Sequence, residues 1–366
     1  MLLVKTHSKH NFKTAKKRPW KFYISMKSSW DAMYLDCLNA KKSIDLEQYI
    51  LENDELGQKF LKLFIKKAQA GIKVNVICDP FGSMSLKGSQ LIMRLRKVGG
   101  NFHFYQPLKW LHIFTPKHWF PRTHIKTLLV DEKIAYVGGV CISKRMEDWR
   151  DTHIRLTGAV IKDIKKVFDR RKKTIIPEKP ASYDFYYLCN RPFGSYHVIY
   201  KELVAQIQNA KKYIYISSAF FVPNNQFIYL LQAAARRGVK VKVIVTKRSD
   251  ILLADWVALS YLGKLVKNKV RVFHYCKTVF HCKTMVVDDE WATVGSTNMD
   301  ILSFFYNRES NVVIRNHAAI ADLKRHFIND LNNATELTKN NYHLIPLWKR
   351  AVGFTARFLK IFFTKQ

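Results

Sequence analysis

Acid, paired cysteines and long apolar runs are all scarce in this chain. Only 28 Asp and Glu stand against 62 Lys and Arg, which leaves a net charge of +34. An excess that large is far beyond what solubility asks for, so it implies a polyanion nearby, and nucleic acid and an anionic membrane surface fit equally well. The six cysteines, at 37, 78, 141, 189, 276 and 282, include no C-x-x-C pair. Zinc ligation and a disulfide framework are therefore not suggested, and reduced, mostly buried thiols in a reducing compartment are the expectation. No apolar stretch approaches the roughly 20 residues that a membrane-spanning helix needs, and the start of the chain has no apolar core of a secretory signal.

What is present is ample apolar material: 48% of the 366 residues are apolar and 13% aromatic, enough for two domains or one large pseudo-symmetric one. The first 27 residues carry basic side chains and no acid. They read as a solvated arm that doubles as a contact for phosphates.

The informative feature is a repeat. "HIKTLLVDEKIAYVGG" begins at 124 and "HCKTMVVDDEWATVGSTNMD" at 281, so His124, Lys126, Asp131 and Gly138 match His281, Lys283, Asp288 and Gly295. Around them the halves stay in step. "LNAKKSIDLEQYIL" resembles "IQNAKKYIYISSAFFV", each closing a helix before an alternating strand. A helical stretch ending at a glycine, Gly71 or Gly238, then leads into another strand, as a C-capped helix would. The order is kept while the loops differ in length, which duplication explains. Each unit reads strand, helix, strand, helix, strand, strand, and predicts a mixed sheet covered by helices. The basic stretch 162–180, with Pro177 and Pro180, is the expected link. The expected division is an arm over 1–27, units over 28–176 and 177–335, and a basic amphipathic tail over 336–366.

In a strand, side chains two apart share a face, so His124 with Lys126, and His281 with Lys283, reach one small volume. An ammonium holds a phosphate oxygen while an imidazole attacks phosphorus or protonates the leaving oxygen. One His cannot do both at once; two copies about a pseudo-two-fold axis supply both. A lone His beside a strand is ordinarily structural, but four fixed positions recurring twice in order are not accounted for that way.

The pattern H-x-K-x4-D-x6-G, present twice, resembles the signature of the phospholipase D superfamily. "WRDTHIRLTG", "SAFFVPN" and "NRESN" are similar to phrases of its bacterial cardiolipin synthase branch, a likeness running from about residue 28 to about 335. The resemblance implies an α/β fold of two pseudo-symmetric phospholipase D-like units, each a mixed β-sheet flanked by helices, with one active site at their interface. It implies metal-independent chemistry with no cofactor, through a phosphohistidine intermediate. Carried over by position, His124 and His281 are nucleophile and general acid, His124 being the expected nucleophile, and Lys126 and Lys283 clamp the phosphate. Ser296 and Asn298 would donate hydrogen bonds to the same oxygens. A His-based site also needs carboxylates to fix tautomer and orientation, and Asp151 in "WRDTH" and Glu309 in "NRESN" are the candidates. Asp131 and Asp288 belong to the motif, but their place at a strand end suggests supporting a turn. Two departures stand out: Cys141 where the family often has Asn, and Leu302 where it commonly has Arg.

The motif leaves hydrolase, transferase and nuclease open. Lipid is favoured by the tail over 346–366, where Leu347, Ala351, Phe354, Phe358, Ile361 and Phe362 fall on one helical side and Arg350, Arg357 and Lys360 on the other. A helix docked on the core would show the same stripe. "QPLKWLHIFTPKHWFPR", 106–122, has the composition of an interfacial anchor, and equally of a lid or a base-stacking platform. The expected activity is transfer of a phosphatidyl group between phosphatidylglycerol molecules with release of glycerol, with hydrolysis or nucleic-acid cleavage as alternatives. The expected partner is an anionic phospholipid membrane, with no obligate protein partner. The expected location is the cytoplasmic face of a bacterial inner membrane, held there peripherally.

Overall fold

Two sheets stacked face to face form the centre of the molecule, and helices cover their outer faces. The computed structural model describes residues 18–107, 121–169, 182–190, 197–352 and 355. Of the stretches singled out in the sequence, 170–180 of the link, 108–120 of the aromatic loop and most of the tail beyond 352 lie outside the described residues.

The first sheet contains β1 (Trp20–Ser25), β2 (Ser43–Gln48), β3 (Lys73–Cys78), β4 (Asn101–Phe104), β5 (Lys126–Val130), β6 (Ile134–Gly138) and β7 (Arg150–Thr157), in the spatial order β1-β7-β6-β5-β2-β3-β4. The second contains β8 (Phe185–Cys189), β9 (Tyr213–Ser218), β11 (Lys240–Thr246), β12 (Arg271–Tyr275), β13 (Lys283–Val287), β14 (Trp291–Gly295), β16 (Ser310–Ile314) and β17 (Ala334–Leu337). Its order, β8-β16-β14-β13-β9-β11-β12-β17, repeats the first with one strand added at the far edge. The two-residue strands β10 (Phe221–Val222) and β15 (Met299–Asp300) pair only with each other. Within each sheet three strands run parallel, β2-β3-β4 or β9-β11-β12, and the motif strand, β5 or β13, is antiparallel to them.

Helices α1 (Met26–Leu38), α2 (Glu55–Gln69) and α3 (Gln90–Lys97) cover the outer face of the first sheet. Helices α5 (Val198–Asn209), α6 (Asn225–Arg236) and α7 (Leu252–Val266) cover that of the second. Between the sheets, β5, β6 and β7 contribute Leu129, Val137 and Ile154, and β13, β14 and β16 contribute Val286, Val294 and Val312, to one core. Helices α4 (Ile161–Asp169) and α8 (His317–Leu331) close its sides, and α9 (Lys339–His343) follows β17. Because every central strand is covered on both faces, the motif strands read as nearly unbroken apolar runs rather than alternating ones.

The local signals behave as the residue types require. Asp54 caps α2 by accepting from the Gly57 amide at 2.9 Å, and Asn224 caps α6 by accepting from the Phe227 amide at 2.9 Å. Gly71 and Gly238 take the left-handed turn after these helices, with φ of 79° and 91°. One correction concerns the first 27 residues. Trp20–Ser25 is strand β1, antiparallel to β7, because Trp20 and Phe22 on one face reach the central core. The alternation was hidden by the surrounding lysines.

Each motif hairpin is fastened to its sheet by the motif Asp. Asp131, at φ 53°, accepts from the backbone amides of Lys41, Lys42 and Ser43 at 2.6–3.0 Å. Asp288, at φ 56°, accepts from those of Lys211, Lys212 and Tyr213 at 2.6–2.8 Å. Three amides lose their acceptor when the carboxylate is removed. Asp288→Ala is expected to lower stability by roughly 1–3 kcal/mol, read as a shifted midpoint in urea unfolding, with activity per folded molecule unchanged.

Candidate active site

Antiparallel register brings the start of each motif strand to the end of its parallel neighbour: Lys126 lies opposite Gln48, and Lys283 opposite Ser218. The site therefore forms at the carboxyl ends of the parallel strands of both sheets, where the two halves meet. The extended segments leading into β5 and β13 each pair across that junction. The His124 amide donates to the Arg308 carbonyl at 2.9 Å, and the His281 amide donates to the Arg150 carbonyl at 2.8 Å.

The side chains exchange partners in the same way. His124 Nδ1 lies 2.9 and 3.0 Å from the two carboxylate oxygens of Glu309, and His281 Nδ1 lies 2.6 Å from Asp151 Oδ2. Both expected carboxylates are at the site, but each orients the imidazole of the opposite half. A carboxylate only accepts, so each Nδ1 carries the hydrogen and each Nε2 keeps its lone pair while the ring is neutral. Burial favours that neutral form. It pulls the pKa of His124 below its ordinary value, and burial followed by the charge of Lys283 takes His281 down to about 3. Tyr49 meets the His124 ring edge-on at 4.8 Å, and Trp149 flanks His281 at 5.4 Å.

The two ammonium groups are also buried, each turned back on the carbonyl of its own motif His. Lys126 Nζ donates to the His124 carbonyl at 2.7 Å, and Lys283 Nζ donates to the His281 carbonyl. Burial lowers the pKa of Lys126 to about 8, and the charge of Lys283 adds to the fall. Two buried cations within electrostatic reach of each other make a receptor for an anion that can neutralise them.

These contacts sort the remaining motif residues and revise the part expected of Ser296. Asp131 and Asp288 stand at the other end of their strands, about 16 Å from the lysines at roughly 3.3 Å per residue, so they hold the turn and not the reacting groups. The Ser296 hydroxyl donates to Glu309 Oε2 and accepts from the Ser310 amide at 3.0 Å. It props the carboxylate behind His124 and is not free for a phosphate. Asn298 is buried with its side-chain oxygen unpartnered. Cys141 fills the matching position of the first half, buried, within electrostatic reach of both lysines. In place of Ser296 the first half has Gly139, where a Cβ would stand 2.2 Å from Asp151 Oδ1. Leu302, the other departure, is 45% exposed at the surface.

Two further ion pairs were not foreseen. Arg150, next to Asp151, forms a two-point contact with Asp330 of α8 at 2.8 and 2.7 Å, and Arg308, next to Glu309, forms one with Glu47 of β2 at 2.8 and 3.2 Å. All four side chains are buried, and both pairs join opposite halves. Glu47 also accepts from the Thr123 hydroxyl at 2.6 Å, and Asp79 accepts from the Thr123 amide at 3.0 Å, so the residue before His124 is held from two sides. Burial raises the Asp79 carboxyl to about 6. The signal available in the sequence was the repeated Arg-acid pair, R-D in "WRDTH" and R-E in "NRESN".

The family described as Cardiolipin synthase, PLD-like domain, matches residues 34–171 and 203–331. A protein named cardiolipin synthase from Staphylococcus aureus (strain N315) is 32% identical over 349 residues, covering 90% of this chain and 70% of its own length. A cardiolipin synthase from Clostridium perfringens (strain 13 / Type A) is 30% identical over 347 residues, covering 87% and 72%. Among solved structures, phosphatidylserine synthase from Haemophilus influenzae Rd KW20 superposes with a TM-score of 0.73 at 14% identity, covering 94% of this chain and 93% of that one. Polyphosphate kinase from Porphyromonas gingivalis gives 0.63 at 14% identity, covering 93% and 52%. At that identity these two structures attest the fold.

Breaking one member of a buried pair leaves an uncompensated charge. Arg308→Met is expected to destabilise by about 3–5 kcal/mol, and adding Glu47→Gln is expected to recover a large part of the loss. A double-mutant cycle in denaturant measures that coupling.

Proposed function

The chain belongs to the cardiolipin synthase, PLD-like domain family, and we propose on that footing that it is a phosphatidyltransferase joining two phosphatidylglycerol molecules into cardiolipin and glycerol. The observation that carries the reading is the convergence of two imidazoles and two buried ammonium groups on one site, each imidazole oriented by the carboxylate of the other half.

The chemistry balances with those groups and one proton taken up with the anionic substrate. The lysines hold the non-bridging oxygens of the phosphodiester. His281, neutral in the resting site, takes up a proton from solvent at Nε2 as the phosphodiester anion binds; His124 Nε2 then attacks phosphorus and the bond to the headgroup glycerol breaks, its oxygen taking that proton. The positive charge that grows on His124 is offset by Glu309, both of whose oxygens face Nδ1. The terminal hydroxyl of a second phosphatidylglycerol then gives its proton to His281 and attacks the phosphatidyl-His124, releasing the imidazole. Water in place of the lipid hydroxyl gives phosphatidic acid. We expect no metal requirement, and a peripheral location on an anionic membrane, at the cytoplasmic face of a bacterial inner membrane. Among the described residues no helix is long and apolar enough to cross a membrane.

The test is lipid product analysis with labelled phosphatidylglycerol vesicles and chelator, with labelled DNA in a parallel tube because the +34 charge suits either polyanion. Wild type is expected to make cardiolipin and glycerol with chelator present and to leave DNA intact. His281→Ala is expected to lose at least about a thousandfold in turnover and to retain lipid label on the enzyme after a neutral detergent quench, which spares the acid-labile phosphorus–nitrogen bond, whereas His124→Ala acquires no label.

A pH profile follows from Lys126. With its folded-state pKa at about 8, the ammonium is present below that value and lost above it. The ratio kcat/KM, which reports the free enzyme, is expected to fall with an added factor of about ten per unit above pH 8, on top of any decline set by protonation of His281. The contribution of this lysine to stability runs the other way. Its folded pKa lies below the unfolded 10.5, so its burial cost is relieved as pH rises from about 8 to 10.5. A fall in activity with no matching loss of unfolding free energy separates the two effects.

A further inference from the structure

We propose that the face surrounding the mouth of the site is a docking surface for an anionic bilayer, and that one loop from each half places apolar side chains into it. The inference rests on the lipid-substrate reading and adds which surface meets the membrane and through which residues.

The two loops are equivalents under the internal repeat. One follows β3 and the other follows β11, and both leave the sheets at the carboxyl ends of the parallel strands, the edge where His124 and His281 sit. Both are tied to the site. Asp79, which opens the first, accepts from the amide of Thr123 beside His124. Thr246, which opens the second, accepts from the amide of Phe280 beside His281. An ion pair between Arg145 and Asp250 at 3.9 Å links the second loop to the opposite half.

Both loops then expose side chains that a water-facing loop would bury. Met84 in the first is 61% exposed, and Ile251, Leu252 and Leu253 in the second are 52%, 48% and 53% exposed. Three consecutive large aliphatic residues at a helix start are unusual in water, and Ile251 stands at a cap position where a polar side chain would hold the first amides. Exposed Lys87, Lys247 and Arg248 lie on the same loops. Apolar tips flanked by cations suit a surface that is oily below and negatively charged above, and the charge of +34 supplies long-range attraction.

The end of the described chain arrives at the same place. Tyr342 packs on Gly263 near the end of α7, and Trp348 meets Trp256 near its start at 5.4 Å. The segment therefore runs back along α7 towards the exposed leucines and brings the exposed Trp348 with it. The imidazoles are buried behind this rim, so a headgroup has to be delivered to the mouth, and a bilayer lying against the rim does so.

The experiment compares wild type with the triple variant Met84→Ser, Leu252→Ser, Leu253→Ser. Binding to vesicles of phosphatidylglycerol and phosphatidylcholine is read by flotation, and turnover is read on vesicles and on dispersed short-chain phosphatidylglycerol. The expected result is at least about tenfold weaker vesicle binding, a matching loss of vesicle turnover, and short-chain turnover within about twofold of wild type. Unchanged vesicle binding overturns the proposal, and so does loss of short-chain turnover, which would place the loops in the fold or the chemistry. A wild-type dimer that the substitutions split would make the face an interface between copies, and overturns it as well. Wild type that binds vesicles and turns over neither substrate would defeat the proposed reaction and leave the docking surface standing.

Discussion

Everything at the site depends on an exchange between halves: each imidazole takes its orienting carboxylate from the other unit. An isolated unit would hold a histidine and a lysine on a strand end with nothing to fix the ring, and an acid with nothing to orient. The exchange explains why the two sheets pack as a sandwich with their motif strands at the centre. It also explains why backbone pairing at Arg150 and Arg308 crosses the same junction. Two buried ion pairs reinforce it. Their geometric role is to hold the starts of β7 and β16, with Asp151 and Glu309, against the opposing histidines, a registration that apolar packing alone would specify less sharply.

Burial then sets the electrostatics. The low-dielectric junction keeps both imidazoles neutral and depresses the lysine ammonium groups, so positive charge is held there at a cost. A phosphodiester relieves it. The same desolvation that costs the resting protein stability thus becomes preference for an anionic, partly desolvated substrate, which is the form a phospholipid headgroup takes at an interface.

Much of this was legible in the sequence because it is carried by local patterns. The duplicated His-x-Lys frame, the capping glycines and the apolar motif strands are short-range features, and the four His and Lys positions are all found at the site. What sequence reading missed is relational. Spacing placed Asp151 downstream of His124 and Glu309 downstream of His281, and nothing local says that the pairs cross. The family resemblance implied Ser296 as a phosphate donor; its partner, Glu309, becomes visible only when β14 and β16 lie side by side. Strand β1 was hidden by charge composition, whereas Asp330 had no signal beyond being one acid among the helical residues of α8. The sorting of Asp131 and Asp288 as turn supports did follow from their strand-end position, because a short carboxylate at positive φ is well placed to accept backbone amides.

The contact between His124 and Glu309 spans 185 positions of sequence. During synthesis at roughly 5–20 residues per second, the first histidine leaves the ribosome some 10–40 s before the acid that orients it. The nascent chain is therefore chemically silent while its first unit folds, and catalytic competence arrives in one step, late, when the second unit closes onto the first. A chain released early lacks the acid that orients its histidine, so truncated products carry the motif without the assembled site.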